Sequence, residues 1–171
     1  MAELASRDRL QPSLLDRLTD DEAGNAQEGR DKRVLSMRGL RRAVLRDIGW
    51  IFNANGLGMV QNLDAYPLAS RSVINYGFPD LTGKTASGIE ITDVERLLRE
   101  ALWNFEPRIL RETLEIKALA LADEGGNPNQ VSFEVHGELW GQPLPERLYL
   151  KTELDLEIGK IKVFDVDSRP A

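Results

Sequence analysis

Apolar residues recur at helical spacing in the first part of the chain and alternate with polar residues in the last part. The longest helical pattern runs from about Ser36 to Asn53, and Asn55-Gly56 is its expected stop. Its apolar face contains Met37, Leu40, Val44, Ile48 and Ile51. This stripe predicts a helix that packs on the core of a domain.

Two further helical segments follow. The shorter one is predicted from Pro67 to Tyr76, with Gly77 as its C-cap. The other begins with Thr92-Asp93-Val94-Glu95, which has the form of a capping box, and it stops at Pro107. Its apolar stripe consists of Val94, Leu97, Leu98, Ala101, Leu102 and Phe105. Because proline disfavours helical geometry in the residue before it, we expect Glu106 to be extended.

The C-terminal part alternates apolar and polar residues between turns rich in glycine, asparagine and proline, which is typical of strands. The predicted strands are Ile109 to Leu121, Val131 to Trp140, Arg147 to Glu157 and Ile161 to Val166. Helices followed by antiparallel strands predict an α+β fold, with N-terminal helices packed on a β-meander of about four strands.

A separate N-terminal arm precedes this domain. Residues Leu10 to Leu18 form a short amphipathic stretch with Pro12 and Ser13 as start signals, and its apolar residues are Leu14, Leu15 and Leu18. Thr19 to Asp31 is acidic and almost free of large apolar side chains, as a linker would be. We therefore expect an arm over 1–31, a single domain over 32–167 and a tail over 168–171. The leucines either pack back on the core or dock a partner, and the pattern supports both equally.

Composition narrows the functional classes. The chain has a net charge of −6, a pI near 5.0 and no cysteine, which argues against nucleic-acid binding and rules out disulfides. The N-terminus has no apolar run, so we expect a soluble cytoplasmic protein without membrane insertion. One cluster of basic residues contains Arg38, Arg41, Arg42 and Arg46. A solvated helix face with acidic partners is the favoured interpretation of it, ahead of a binding surface.

Catalytic and cofactor motifs are poorly supported. The single histidine, His136, lies within a predicted strand, so a zinc site or a Ser-His-Asp triad has too few partners. Gly83-Lys84-Thr85 lacks the first glycine of a phosphate-binding loop, because position 78 is Phe78. We expect no cofactor and no metal.

The tripeptide Glu106-Pro107-Arg108 lies where the last helix meets the strands. Glycoside hydrolysis needs two carboxylates, and Glu106 could be its acid. A nearby Arg108 would instead stabilise the carboxylate and disfavour proton donation. An internal Glu–Arg staple and a contact to a partner are equally compatible with the tripeptide.

Several segments in the expected order resemble the TssE family, the type VI secretion baseplate subunits related to the wedge proteins of contractile phage tails and often labelled lysozyme-like. The segments are Leu10-Gln11-Pro12-Ser13-Leu14-Leu15-Asp16-Arg17-Leu18, Leu63-Asp64-Ala65-Tyr66-Pro67, Ser72-Val73-Ile74-Asn75-Tyr76-Gly77, Phe105-Glu106-Pro107-Arg108-Ile109 and Pro143-Leu144-Pro145-Glu146-Arg147-Leu148-Tyr149. Together they span nearly the whole chain.

The resemblance implies a structural protein that is not an enzyme. It would lie in the cytoplasm, in a baseplate docked on the inner-membrane complex, with TssF, TssG and TssK as wedge partners and hub proteins as further candidates. It implies that Glu106, Pro107 and Arg108 clamp the core bundle of the wedge. The alternative is a lysozyme-like hydrolase of peptidoglycan with Glu106 as acid.

The resemblance also implies that the sheet templates the sheath proteins TssB and TssC. An antiparallel sheet has open edges that accept a strand from another chain. The candidate edge is the last predicted strand, which contains Ile161, Lys162, Val163, Phe164, Asp165 and Val166.

Overall fold

A computed structural model of the chain describes residues 13–19, 36–81, 90–119, 129–141 and 144–166. The α-helices are α1 (Leu14–Leu18), α2 (Met37–Asn53), α3 (Pro67–Ser70) and α4 (Ile91–Phe105). The strands are β1 (Glu115–Ala118), β2 (Gln130–Leu139), β3 (Glu146–Asp155) and β4 (Lys160–Asp165). Short 3₁₀ turns occupy Leu57–Met59, Val73–Asn75 and Arg111–Thr113.

Helix α2 confirms the longest helical pattern. The Ser36 hydroxyl accepts a hydrogen bond from the Gly39 N–H at 3.1 Å and caps the first turn. The helix ends at Asn53, as predicted, and Ala54 is already extended just before the Asn55-Gly56 stop signal. The apolar face is buried except for Met37, which is half-buried and packs against the core.

Helix α4 confirms the predicted stripe but not the predicted start. It begins at Ile91 with Glu90 as N-cap, so Thr92 lies inside the helix and the capping box is absent. Glu95, which the box would have used, accepts a hydrogen bond from the Ala118 N–H at 2.6 Å. A long-range strand contact has replaced the local cap.

The segment predicted as one helix from Pro67 to Tyr76 is two short pieces, α3 and the 3₁₀ turn at Val73–Asn75. The Ser72 hydroxyl interrupts helical bonding, because it donates to the Ala69 carbonyl and accepts from the Ile74 N–H. Serine side chains that compete for backbone groups favour turns over helices.

The segment over 55–77, which we call the excursion, begins and ends at the same place beside the C-terminus of α2. The Phe78 N–H donates to the Ala54 carbonyl at 2.8 Å. Gly77 has a φ of +129°, and a Cβ there would lie 2.0 Å from the Ala54 carbonyl oxygen. Only glycine fits this closure.

The strands form one antiparallel sheet of order β1-β2-β3-β4, which confirms the predicted α+β meander. The first strand is much shorter than predicted, because the 3₁₀ turn at Arg111–Thr113 interrupts it and only Ile109 bridges to Leu139 before that turn. The inward-facing side chains of β2 and β3 are buried, as their alternation predicted.

Both long helices pack on the buried face of the sheet, with α2 against β4 and α4 against β1. Arg41 joins α2 to the sheet: its Nε donates to an Asp165 carboxylate oxygen at 2.7 Å, and its Nη1 donates to the Arg147 carbonyl at 2.7 Å. Arg41 and Arg46 therefore have acidic partners, while Arg38 and Arg42 are exposed. The expected solvated arginine face is only partly present.

Several predicted features lie outside the described residues. These are most of the arm and its linker, the Gly83-Lys84-Thr85 loop and the tail. Within the described part of the chain, no helix is long and apolar enough to cross a membrane. The same residues contain no group of His, Cys, Asp or Glu side chains that could hold a metal ion.

Candidate functional site

The Glu106–Arg108 turn is fastened at both ends by backbone hydrogen bonds. Glu106 leaves helical geometry at φ −122° and ψ 78°, as the following proline predicted, while its N–H still donates to the Leu102 carbonyl at 2.9 Å. The Arg108 carbonyl accepts from the Trp140 N–H at 2.7 Å, beyond the end of β2. The turn is therefore held between α4 and the sheet.

Glu106 and Arg108 pair with each other. One Glu106 carboxylate oxygen accepts from the Arg108 N–H at 3.1 Å and from its Nε at 2.7 Å, and the other accepts from Nη2 at 2.5 Å. The Glu106 residue is only 2% exposed. A buried carboxylate needs such a set of donors, and the side-on arginine supplies it.

Asp47 of α2 extends this pair. Its Oδ2 accepts from Arg108 Nη2 at 2.6 Å. Burial alone would lower the pKa of Arg108, but hydrogen bonds to Glu106 and then Asp47 outweigh it, and the pKa is raised. The pKa of the half-buried Tyr76 is also raised, by burial first and then by the charges of Asp47 and Glu106.

A second ion pair attaches α1 to the same turn of α2. Arg46 donates to Asp47 Oδ1 through Nε at 2.8 Å and to Asp16 Oδ1 through Nη1 at 2.6 Å. Partial burial raises the pKa of Asp16, but hydrogen bonds from Ser13 and then Arg46 outweigh this effect, and the pKa is lowered. One connected network thus runs from α1 to the Glu106–Arg108 turn.

An open groove of about 450 Å³ lies beside this network. We call it the turn groove; its lining combines apolar walls with the charged pair, and it includes Leu15, Trp50, Ile51, Tyr76, Phe105, Pro107, Asp47, Glu106 and Arg108. Tyr76 and Phe105 pack edge to face at 5.2 Å between ring centroids. A mostly apolar cleft with a few placed polar groups is typical of a binding site.

The geometry bears on the glycosidase alternative. Glu106 is buried, both of its oxygens already accept hydrogen bonds from Arg108, and no substrate oxygen could approach it without opening the turn. A general acid must lie within hydrogen-bond reach of the group that it protonates. The arrangement therefore favours a structural staple of the bend within the free chain, one of the two alternatives that the sequence left open.

The other predicted site residues lie apart. In the described arm, Leu15 lines the turn groove while Leu14 and Leu18 are 70% and 74% exposed. Strand β4 is an edge strand, as predicted, and contributes nothing to the described lining of the turn groove. His136 lies on the outer face of the sheet and stacks on Tyr149, with ring centroids 4.3 Å apart.

Sequence reasoning missed Asp47, Trp50 and Tyr76 as members of this site. Asp47 lies 61 residues from Arg108 along the chain, so no local spacing connects them. The signals in the sequence were an acidic residue between Arg46 and Ile48 and a tryptophan three residues later, at Trp50. Neither signal is specific without the fold.

The chain thus combines a small α+β fold, a charged turn that is paired internally and an open, mostly apolar groove. The model of the family described as baseplate wedge protein gp25 matches residues 38–144, which is well over half of the chain. The chain belongs to this family, which includes TssE, and it is a structural component of a baseplate whose partners are other baseplate proteins. No curated protein and no solved structure matches it significantly.

Proposed function

We propose that the chain is a TssE-type wedge subunit of a type VI secretion baseplate and has no enzymatic activity of its own. It would assemble with TssF, TssG and TssK around the hub, in the cytoplasm, in a baseplate docked on the inner-membrane complex. The observation that carries this proposal is the family match over residues 38–144, which includes Glu106, Pro107 and Arg108.

The turn groove is our proposed docking site for a helical bundle of the partners. Helices dock through apolar anchors that enter a groove, and the walls formed by Leu15, Ile51 and Phe105 suit such anchors. Trp50 and Pro107 are exposed at its rim. Exposed tryptophans at grooves are frequent sites of high binding energy.

The charged pair has two roles in this proposal. Glu106 and Asp47 hold Arg108 in one orientation, which fixes the shape of the groove without help from a partner. Arg108 Nη1 has no hydrogen-bond partner among the described residues and is not buried. It can donate to a carbonyl or carboxylate at the end of a docked helix.

The arm adds a second candidate contact. Helix α1 turns Leu15 towards the groove and leaves Leu14 and Leu18 exposed. The ion pair between Asp16 and Arg46 holds α1, and with it the exposed Leu14 and Leu18, beside the groove. We propose that the pair covers the outer side of a docked partner helix.

The sheath contact is the third part of the proposal. Strand β4, with Ile161, Lys162, Val163, Phe164, Asp165 and Val166 at or just beyond it, lies at one edge of the sheet. An edge strand adds a strand from another chain through its free backbone groups. TssB and TssC are the proposed donors of that strand.

Co-purification of the full chain with TssF and TssG tests the groove. Trp50→Ala removes an exposed rim side chain without touching the core, and we expect at least a roughly tenfold loss of retained partner, because anchor tryptophans commonly contribute that much. The matched control is Trp103→Ala, an exposed tryptophan of α4 outside the described groove lining. Equal recovery with both variants would contradict the groove as the docking site.

A further inference from the structure

Each edge of the sheet meets a side chain from a helix. At the outer edge of β4, Nδ2 of Asn53 donates to the Ile161 carbonyl at 2.8 Å, and its Oδ1 accepts from the Ile161 N–H at 3.0 Å. At the opposite edge, Glu95 of α4 accepts from the Ala118 N–H at 2.6 Å. These are backbone groups that an added strand would need.

The Asn53 side chain imitates a neighbouring strand. Its carboxamide carries the same donor and acceptor as a peptide group, and two reciprocal bonds with one residue reproduce a hydrogen-bonded pair of an antiparallel ladder. Its Nδ2 also donates to the Gly49 carbonyl at 2.7 Å, which fixes its orientation at the end of α2. Ile161 is therefore closed to another chain.

The open part of the edge begins two residues later. Backbone groups in a strand point alternately to either side, so Val163 faces outward as Ile161 does, while the Val166 N–H faces inward and donates to the Tyr149 carbonyl at 3.1 Å. No contact among the described residues occupies the outer backbone groups of Val163. The Asp165 side chain is held by Arg41 on the helix side.

The exposed side chains divide the strand at the same point. Lys160 and Lys162 are exposed beside the closed residue, whereas Phe164 and Val166 are 44% and 48% exposed in the other half. Lysines discourage strand addition and exposed apolar residues favour it. Backbone and side chains therefore both indicate that the second half of β4 is the part open to an added strand.

We propose that strand addition at β4 is confined to Val163–Val166 and that Asn53 is the stop that sets where the added strand ends. This inference rests on the sheath contact proposed above and specifies its register. If the added strand runs antiparallel to β4, the residue opposite Phe164 forms a non-hydrogen-bonded pair, in which side chains come closest. The added strand is thus a short extended segment with an aromatic or β-branched residue opposite Phe164.

Amide hydrogen exchange of the full chain, measured by NMR, tests the stop directly. The Ile161 amide should exchange slowly and the Val163 amide fast. Asn53→Ala should accelerate Ile161 roughly tenfold, since the Ile161 N–H loses the bond that it donates to Asn53 Oδ1, and should leave Val163 unchanged. Asn55→Ala is the matched control, because this exposed asparagine follows the helix and has no bond to the strand. Equal exchange at Ile161 and Val163 in the unaltered chain would overturn the stop.

Capture of co-expressed TssB and TssC tests the open half. Val163→Pro removes the outward N–H and spares the ladder to β3, and we expect at least a roughly tenfold loss of captured sheath protein, while Val163→Ala retains it. Phe164→Lys changes only an exposed side chain and should lose capture likewise. Capture by Val163→Pro equal to that by Val163→Ala would overturn the site. If the unaltered chain captures no sheath protein, the sheath function fails, and the exchange measurement still decides the stop.

Discussion

Two ion-pair joints meet on one turn of α2, and burial distinguishes them more than chemistry does. In the inner joint, Arg108 links Asp47 to a Glu106 side chain that is 1% exposed. In the outer joint, Arg46 links Asp47 to Asp16, and the Arg46 side chain is 32% exposed. Breaking a pair that has a fully buried member leaves an uncompensated charge, whereas a partly exposed pair such as Arg46–Asp16, whose side chains are 32% and 16% exposed, contributes less.

The difference assigns separate tasks to the two joints. The inner joint holds the bend on which the groove depends, so we expect it to stay closed in free and assembled protein. The outer joint holds a five-residue helix with outward leucines, so it can open at low cost when a partner arrives. Asp47 takes part in both joints, so variants at Asp47 and its partners can compare how much each joint contributes to stability.

Glu106→Ala should have the largest effect. We expect a loss of about 2–3 kcal/mol of unfolding free energy, below the usual cost of a broken buried pair because Arg108 is partly exposed and keeps Asp47. Urea unfolding measures it. The control is Glu100→Ala, which breaks an exposed pair with Arg96 and should cost less than about 0.5 kcal/mol. Similar losses of unfolding free energy in both variants would show that the inner joint does not contribute more to stability than an exposed ion pair.

Asp47→Ala should come second, at about 1–2 kcal/mol, because it removes bonds to Arg108 and Arg46 while both arginines keep another acidic partner. A double-mutant cycle with Asp16→Ala measures the coupling of the joints. Asp93→Ala, on the exposed face of α4, is the matched aspartate control. Strict additivity in the cycle would show that the joints act independently.

The sequence predicted what depends on nearby residues. The period of α2 and the alternation of β2 and β3 each act within one element, and all are present. The capping box failed because Glu95 found a better donor 23 residues away, at Ala118. Within the site, the Glu106–Arg108 pair was readable as a possibility because its members are adjacent, whereas Asp47 and Asn53 act on segments that only folding brings near.

Asp16→Ala should change global stability by less than about 1 kcal/mol, since the pair that it breaks is only partly buried and includes no fully buried charge. The local effect should be larger: α1 should lose its tie to α2, and its amides should exchange faster. Hydrogen exchange of residues 14–18 measures this. Arg17→Ala, an exposed charge on the same helix, is the control, and equal exchange in both variants would mean that Asp16 does not hold the arm.

Acid should release α1 with the smallest energetic change. Because the pKa of Asp16 is lowered in the folded chain, its contribution to docking is complete at neutral pH and is lost as the pH falls below the ordinary aspartate pKa and through the lowered one. Trp50, whose ring lies 5.1 Å from the Arg46 guanidinium, can report the release. In a Trp103→Phe, Trp140→Phe background, emission should change in this range and stay flat in Asp16→Asn. An unchanged titration in Asp16→Asn would point to another group.

The closure between Ala54 and Phe78 has a consequence for how such subunits diversify. The excursion over 55–77 exposes several large apolar side chains, namely Met59, Val60, Tyr66, Leu68, Val73 and Ile74. Because one hydrogen bond and one obligatory glycine join its two ends, the part before Tyr76, which lines the turn groove, can change in length and sequence without moving α2 or the sheet. Related chains could keep the same core and vary this segment. A new partner could then be bound by changes in one loop, with no change of fold.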